Sequence, residues 1–138
     1  MKKVIVAQNV MKEAYNYESN PATFSRGIVV DNTLYVSGTA SIGENGETLY
    51  KGDFKGQVYR MFYNVTQVLK DGGMEWKDVV RTTIYLRDID RDYEEFNKLR
   101  KEFYDLNCNL NPYPASTCIE AKLCRSDLLC EMEAIATR

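Results

Sequence analysis

Apolar and polar positions along this chain follow two periods in turn, and the order of those periods predicts the architecture. Phe24 to Val30 and Thr33 to Ser41 are rich in β-branched and aromatic residues. They flank Asp31-Asn32, a pair suited to a tight hairpin turn. Gly43-Glu-Asn-Gly46 then reads as a loop. From Phe54 onward the period changes: Phe54, Val58, Met61, Phe62, Val65, Val68 and Leu69 recur at helical spacing, with Asp53 placed to cap the start and Gly72-Gly73 to end it. Lys55, Gln57, Arg60, Asn64 and Gln67 fall on the opposite side, which the pattern assigns to solvent.

Val79 to Leu86 returns to strand composition, and Arg87-Asp-Ile-Asp90 breaks it. A second helix is predicted from near Asp92, with Tyr93, Phe96, Leu99, Phe103 and Leu106 on one face. The Asn and Pro residues between 107 and 114 predict a loop. Two last strands, about Thr117 to Leu123 and Leu128 to Ala136, are read as joined by a polar turn around Arg125-Ser-Asp127. With a short first strand at Val4 to Val6, the order is that of an α/β (α+β) domain, a mixed sheet with both helices on one face. The final strand alternates Leu129, Glu131 and Glu133 with Cys130, Met132 and Ala134, so the uncovered face is semi-apolar and suited to self-association in a cyclic assembly.

Composition narrows the function classes. A chain of 138 residues is expected to form a single domain spanning 1–138. No apolar run approaches the ~20 residues of a membrane span, and the apolar stretch after Met1-Lys-Lys3 is too short for a signal peptide, so a cytoplasmic protein is expected. A net charge of −2 offers no basic field for nucleic acid. The four cysteines, at 108, 118, 124 and 130, fit no zinc spacing and are expected to be buried, reduced thiols. With no histidine in the chain, proton transfer near neutrality falls to a shifted carboxylate, a thiol or water.

Several dispersed segments carry a family likeness. They are Leu34-Tyr-Val-Ser-Gly38, Asp71-Gly-Gly73, the stretch Asp78 to Asp88, Tyr93 with Phe96-Asn97, Pro114-Ala-Ser-Thr-Cys118 and Glu131-Met-Glu-Ala-Ile-Ala136. In this order, over about Phe24 to Arg138, the chain resembles the RidA (YjgF-like) family of enamine and imine deaminases. The resemblance implies a chorismate-mutase-like fold, a homotrimer, and clefts between subunits. There, small molecules such as 2-aminoacrylate or 2-iminopropanoate are hydrolysed to 2-keto acids and ammonia, with no metal or cofactor.

Carried over by position, the resemblance makes Glu131 the carboxylate that orients water and handles the proton, and Cys118 the residue whose backbone carbonyl holds that water. It places Phe24, Ser37, Gly38 and Asn97 around the substrate. For Phe24, Asn97 and Glu131 ordinary roles remain open beside these: a core aromatic, a helix-surface amide and a solvated strand carboxylate. Ser116 is a departure, since the family motif has there an arginine that grips the substrate carboxylate. Losing such a bidentate contact costs on the order of 2 to 4 kcal/mol of binding.

Two guanidinium groups are candidates to compensate. Arg26 lies two residues after Phe24 and shares its face in an extended strand. Arg125, in Cys124-Arg-Ser-Asp-Leu-Leu-Cys-Glu131, resembles a turn of the related chorismatase branch, in which a Cys-Arg pair and a later glutamate serve the site; a solvated turn is the other reading. Three functions follow as expectations: a RidA-like hydrolase, a non-catalytic trimer that binds a metabolite or a partner, and a chorismatase-like activity on an aromatic or enol substrate. Ribonuclease activity, an older label for such relatives, fits an acidic chain without histidine poorly.

Overall fold

Asp31 takes up φ 53°, and the chain reverses there to pair β2 (Gly27–Val30) antiparallel with β3 (Thr33–Thr39). The computed structural model that shows this describes residues 2–5 and 23–138. On the outer side of β2 lies β1 (Lys2–Ile5), the short first strand expected from the sequence. Helix α1 (Phe54–Asp71) starts where the Asp53 carboxylate accepts a hydrogen bond from the Gly56 amide at 2.9 Å. It stops at Gly72, and Gly73 follows at φ 74°, a conformation that favours glycine. A 3-10 turn (Trp76–Asp78) leads into β4 (Val79–Leu86). Then come α2 (Ile89–Phe103), a π turn (Tyr104–Cys108), β5 (Ala115–Glu120) and β6 (Cys130–Thr137).

Among the described residues the strands form one mixed sheet in the order β1-β2-β3-β6-β4-β5, in which only β4 and β5 are parallel. The last two strands are therefore not a hairpin, because β4 lies between them. Parallel neighbours need a crossover, and α2 provides it between β4 and β5. Residues 121–129 must then pass across the end of β4 to start β6. Arg87 fastens that connection by donating from Nε to the Leu128 carbonyl and from Nη2 to the Arg125 carbonyl, each at 2.7 Å.

Alternate residues of the inner strands, including Leu34, Val36, Ile84, Leu86, Met132 and Ala134, are buried beneath both helices. Phe62 is the centre of this core, stacked on Phe103 at 4.4 Å and edge-on to Trp76 at 5.7 Å. No helix is long and apolar enough to cross a membrane among the described residues.

Four further sequence expectations are corrected. Gln57 and Asn64, assigned to the solvated face of α1, are fully buried. Gln57 Nε2 donates to the Tyr50 and Asp127 carbonyls while its Oε1 accepts from the Leu129 amide, and Asn64 Nδ2 donates to the Ala40 and Ile42 carbonyls. These amides satisfy loop backbone that covers the helix. Helix α2 begins at Ile89, earlier than expected, since Asp88 is its cap and Asp92 is a buried residue held by Arg91. The π turn then shifts the helical phase, so Tyr104 points into the core and Leu106 is 82% exposed. Tyr93 is also exposed. Finally, of the four free cysteines only Cys130 is fully buried, and Cys124 on the exposed connection is open to solvent.

Candidate functional site

Between Val36 and Thr39 the pairing of β3 with β6 slips by one residue, a β-bulge at Ser37-Gly38. The bulge is pinned to the segment before β2: the Ser37 amide donates to the Arg26 carbonyl at 3.0 Å, and its hydroxyl donates to the Ser25 carbonyl. Arg26 is buried, with Nη1 donating to the Gly38 carbonyl at 3.2 Å and its guanidinium 4.5 Å from the centre of the Phe24 ring. Phe24 and Arg26 thus meet as their spacing predicts, although both precede the strand itself.

Glu131 of β6 enters this corner. A β-carbon built on Gly38 would lie 2.4 Å from Glu131 Oε2, so only glycine lets the carboxylate sit where it does. Burial pushes the Glu131 carboxyl above the usual glutamate range, Arg26 pulls it partly back, and Glu133 adds to the rise. Glu133 accepts a hydrogen bond from the Tyr85 hydroxyl, which that bond together with burial pushes up to about 12. Phe24, Arg26, Ser37, Gly38 and Glu131 are in this way one cluster.

Gly38→Ala tests the cradle. Gly38 has no positive φ, and the atom in the way ends a flexible side chain, so stability is expected to change by less than about 1 kcal/mol. The carboxylate would be displaced. In a carbon-detected NMR titration the Glu131 carboxyl should move toward the ordinary glutamate range; an unmoved titration would contradict the cradle.

The other predicted residues lie elsewhere. Ser116 and Cys118 on β5 stand in register with Thr82 and Ile84 of β4, on the helix-covered side, whereas Glu131 pairs with Tyr85 on the opposite side. On that helix side Asn97 joins them through Arg100, one turn further along α2. Arg100 donates from Nη1 to Ser116 Oγ at 2.9 Å and from Nη2 to Asn97 Oδ1 at 2.7 Å, with its guanidinium 5.0 Å from the Phe96 ring centre. Burial raises the Cys118 thiol, which Arg100 partly offsets, leaving it protonated near neutrality and unsuited to nucleophilic attack. Beside these groups is a cavity of about 200 Å³ lined by residues that include Thr82, Asn97, Arg100, Tyr104, Tyr113 and Ser116.

Cys124 and Arg125 occupy the connection before β6. The Arg125 guanidinium donates to Thr48 Oγ1 at 3.0 Å and to the Gly46 carbonyl at 2.8 Å, fastening that connection to the 43–49 loop. Sequence reasoning missed Arg100, Tyr85 and Glu133. The signal for Arg100 was present in its spacing, since residues three apart on a helix share a face and Asn97 was already marked.

A bulged mixed sheet covered on one side by two helices, with a carboxylate corner on one face and a guanidinium-lined cavity on the other, defines a small α+β protein with two separate polar clusters. The family model described as Endoribonuclease L-PSP matches residues 17–138, and the chain belongs to that family as a RidA (YjgF-like) member. It is 30% identical over 106 residues to the 3-aminoacrylate deaminase RutC of Acinetobacter baylyi, covering 77% of this chain and 79% of that protein. With the human 2-iminobutanoate/2-iminopropanoate deaminase the identity is 26% over 113 residues, covering 82% and 78%. Among solved structures, the YjgF gene product of Escherichia coli superposes with a TM-score of 0.81 at 26% identity, covering 99% of this chain and 98% of that one.

Proposed function

We propose that this protein hydrolyses small enamines and imines, with a site formed where the Glu131 corner of one copy meets the Ser116 edge of another in a homotrimer. The observation that carries the reading is Glu131 itself, a half-buried carboxylate seated against Gly38 with a raised affinity for protons. It supplies the proton carrier that a chain without histidine needs. The two deaminase relatives support the substrate class, since their names share a short acid with a carbon–nitrogen double bond or its enamine form.

In the reaction, an enamine takes a proton from solvent at carbon and becomes an iminium ion. Water then adds to the iminium carbon while one of its protons passes to the Glu131 carboxylate, giving a neutral carbinolamine. The nitrogen of the carbinolamine recovers that proton, the carbon–nitrogen bond breaks as ammonia leaves, and the hydroxyl proton returns to solvent as the carbonyl forms. The Cys118 backbone carbonyl, brought from a second copy, would hold the water. Assembly is supported by the sheet face opposite the helices, where Tyr35 and Ile119 are about half exposed, and by β5 being an edge strand among the described residues. RNA cleavage is not proposed, because an acidic chain lacking histidine offers neither a basic track nor the usual proton carrier.

The test uses 2-aminoacrylate generated in situ by a separate lyase. Pyruvate and ammonia should appear faster with the protein than in buffer; release at the buffer rate would leave only a binding role.

A further inference from the structure

The cavity between α2 and β5 holds an arrangement that the family motif does not predict. Ser116 occupies the motif's arginine position, and a guanidinium reaches it from a different element: Arg100 of α2, held by Ser116 Oγ and Asn97 Oδ1 and lying over Phe96. Those two bonds use two of its five N–H donors and leave others for a ligand. Two further groups lining the same cavity, Thr82 Oγ1 and Tyr104 Oη, are buried with no hydrogen-bond partner among the described residues. Their residues are only 1% and 4% exposed. Buried polar atoms are normally paired, so orphaned hydroxyls beside a guanidinium mark a place prepared for a hydrogen-bonding anion. A cavity of about 200 Å³ is smaller than the sites that hold drug-sized ligands and is suited to a short acid.

The geometry points to Arg100 as the group that binds the substrate's carboxylate, with the Thr82 and Tyr104 hydroxyls placed to complete its hydrogen bonds; this assignment rests on the deaminase reading above. The arginine lost from β5 is thus replaced by one on α2. Asn97 and Ser116 act as positioning residues, and the serine at position 116 is small enough to admit the Arg100 side chain.

Pyruvate, the product, serves as the probe, with its dissociation constant followed by NMR on the intact protein and KM measured in the coupled assay. Arg100→Gln should weaken pyruvate binding and raise KM by about 100-fold, with a smaller change in kcat. Arg100→Lys, which keeps the charge and the helix, should weaken both by about 10-fold. Ser116→Arg added to Arg100→Gln should recover at least about 10-fold of the loss, a rescue that a merely structural role would not give. Lys98→Gln, an exposed change on the same helix, should alter nothing.

Pyruvate binding within about 2-fold of wild type in a folded Arg100→Gln protein overturns the assignment. The two readings fail separately. Turnover with an unchanged KM in Arg100→Gln removes the carboxylate role and keeps the deaminase. Arg100-dependent pyruvate binding without any turnover keeps the anion site and removes the deaminase.

Discussion

Glu131→Gln is expected to lower kcat by about 100- to 10,000-fold while the protein remains folded. Glutamine has the shape of glutamate and fits the space that Gly38 leaves open, but it cannot accept the proton of the attacking water. The pH profile makes the expectation sharper. The working form is the carboxylate, so kcat/KM in the wild type should rise with pH through the raised titration of Glu131 and level off above it. The variant should lose that limb along with its activity.

Stability should move the other way. Folding raises the Glu131 carboxyl's affinity for protons, so the native state binds more protons than the unfolded state between the ordinary glutamate range and the raised one. Stability contributed at this position therefore falls as pH climbs through that window, and the cost of the buried charge persists above it. Glu131→Gln should be more resistant to urea than wild type at neutral pH, with the difference vanishing in acid. A variant that is both inactive and less stable at neutral pH would point instead to a structural ion pair with Arg26.

Much of this was legible in the sequence, and the reasons differ by element. The apolar stripe of α1 and the β-branched run of β4 were read correctly because burial under or against a neighbour demands a period, and the period is written in consecutive residues. Gln57 and Asn64 were misread for the same reason. Their amides look like solvent-facing residues until loop carbonyls, fixed by distant turns, come to lie over them. Strand pairing was harder still, because nothing local says that residues 121–129 cross the end of β4 rather than fold back in a hairpin.

The candidate site was legible as a set of residues and illegible as a geometry. Phe24, Arg26, Ser37, Gly38 and Glu131 were each marked, and they meet at a bulge that no pattern announced. Asn97 and Ser116 were marked too, but the guanidinium that joins them comes from a residue the helical pattern had left unremarked. A substitution that removes one arginine reads as a loss in one dimension. In three dimensions Arg100, sixteen residues earlier, reaches that position and donates a hydrogen bond to Ser116.

The second large effect concerns assembly. Within one chain Glu131 and Ser116 lie on opposite faces of the sheet, so a working site of the proposed kind requires the Glu131 corner of one copy and the Arg100 edge of the next. Two variants crippled at different halves should therefore complement each other. Glu131→Gln subunits keep a sound Arg100 edge, and Arg100→Gln subunits keep a sound Glu131 corner. In a cyclic assembly formed from an equal mixture, about one interface in four joins two sound halves.

The most direct test is to unfold the Glu131→Gln and Arg100→Gln proteins together, refold them as a mixture, and assay 2-aminoacrylate hydrolysis at a substrate concentration where neither variant alone shows appreciable rate. The account predicts recovery to about a quarter of wild-type activity in the mixture and none when the two proteins are refolded apart and then combined without exchange. Mixed oligomers, verified by mass, that stay as inactive as the separate variants would contradict it.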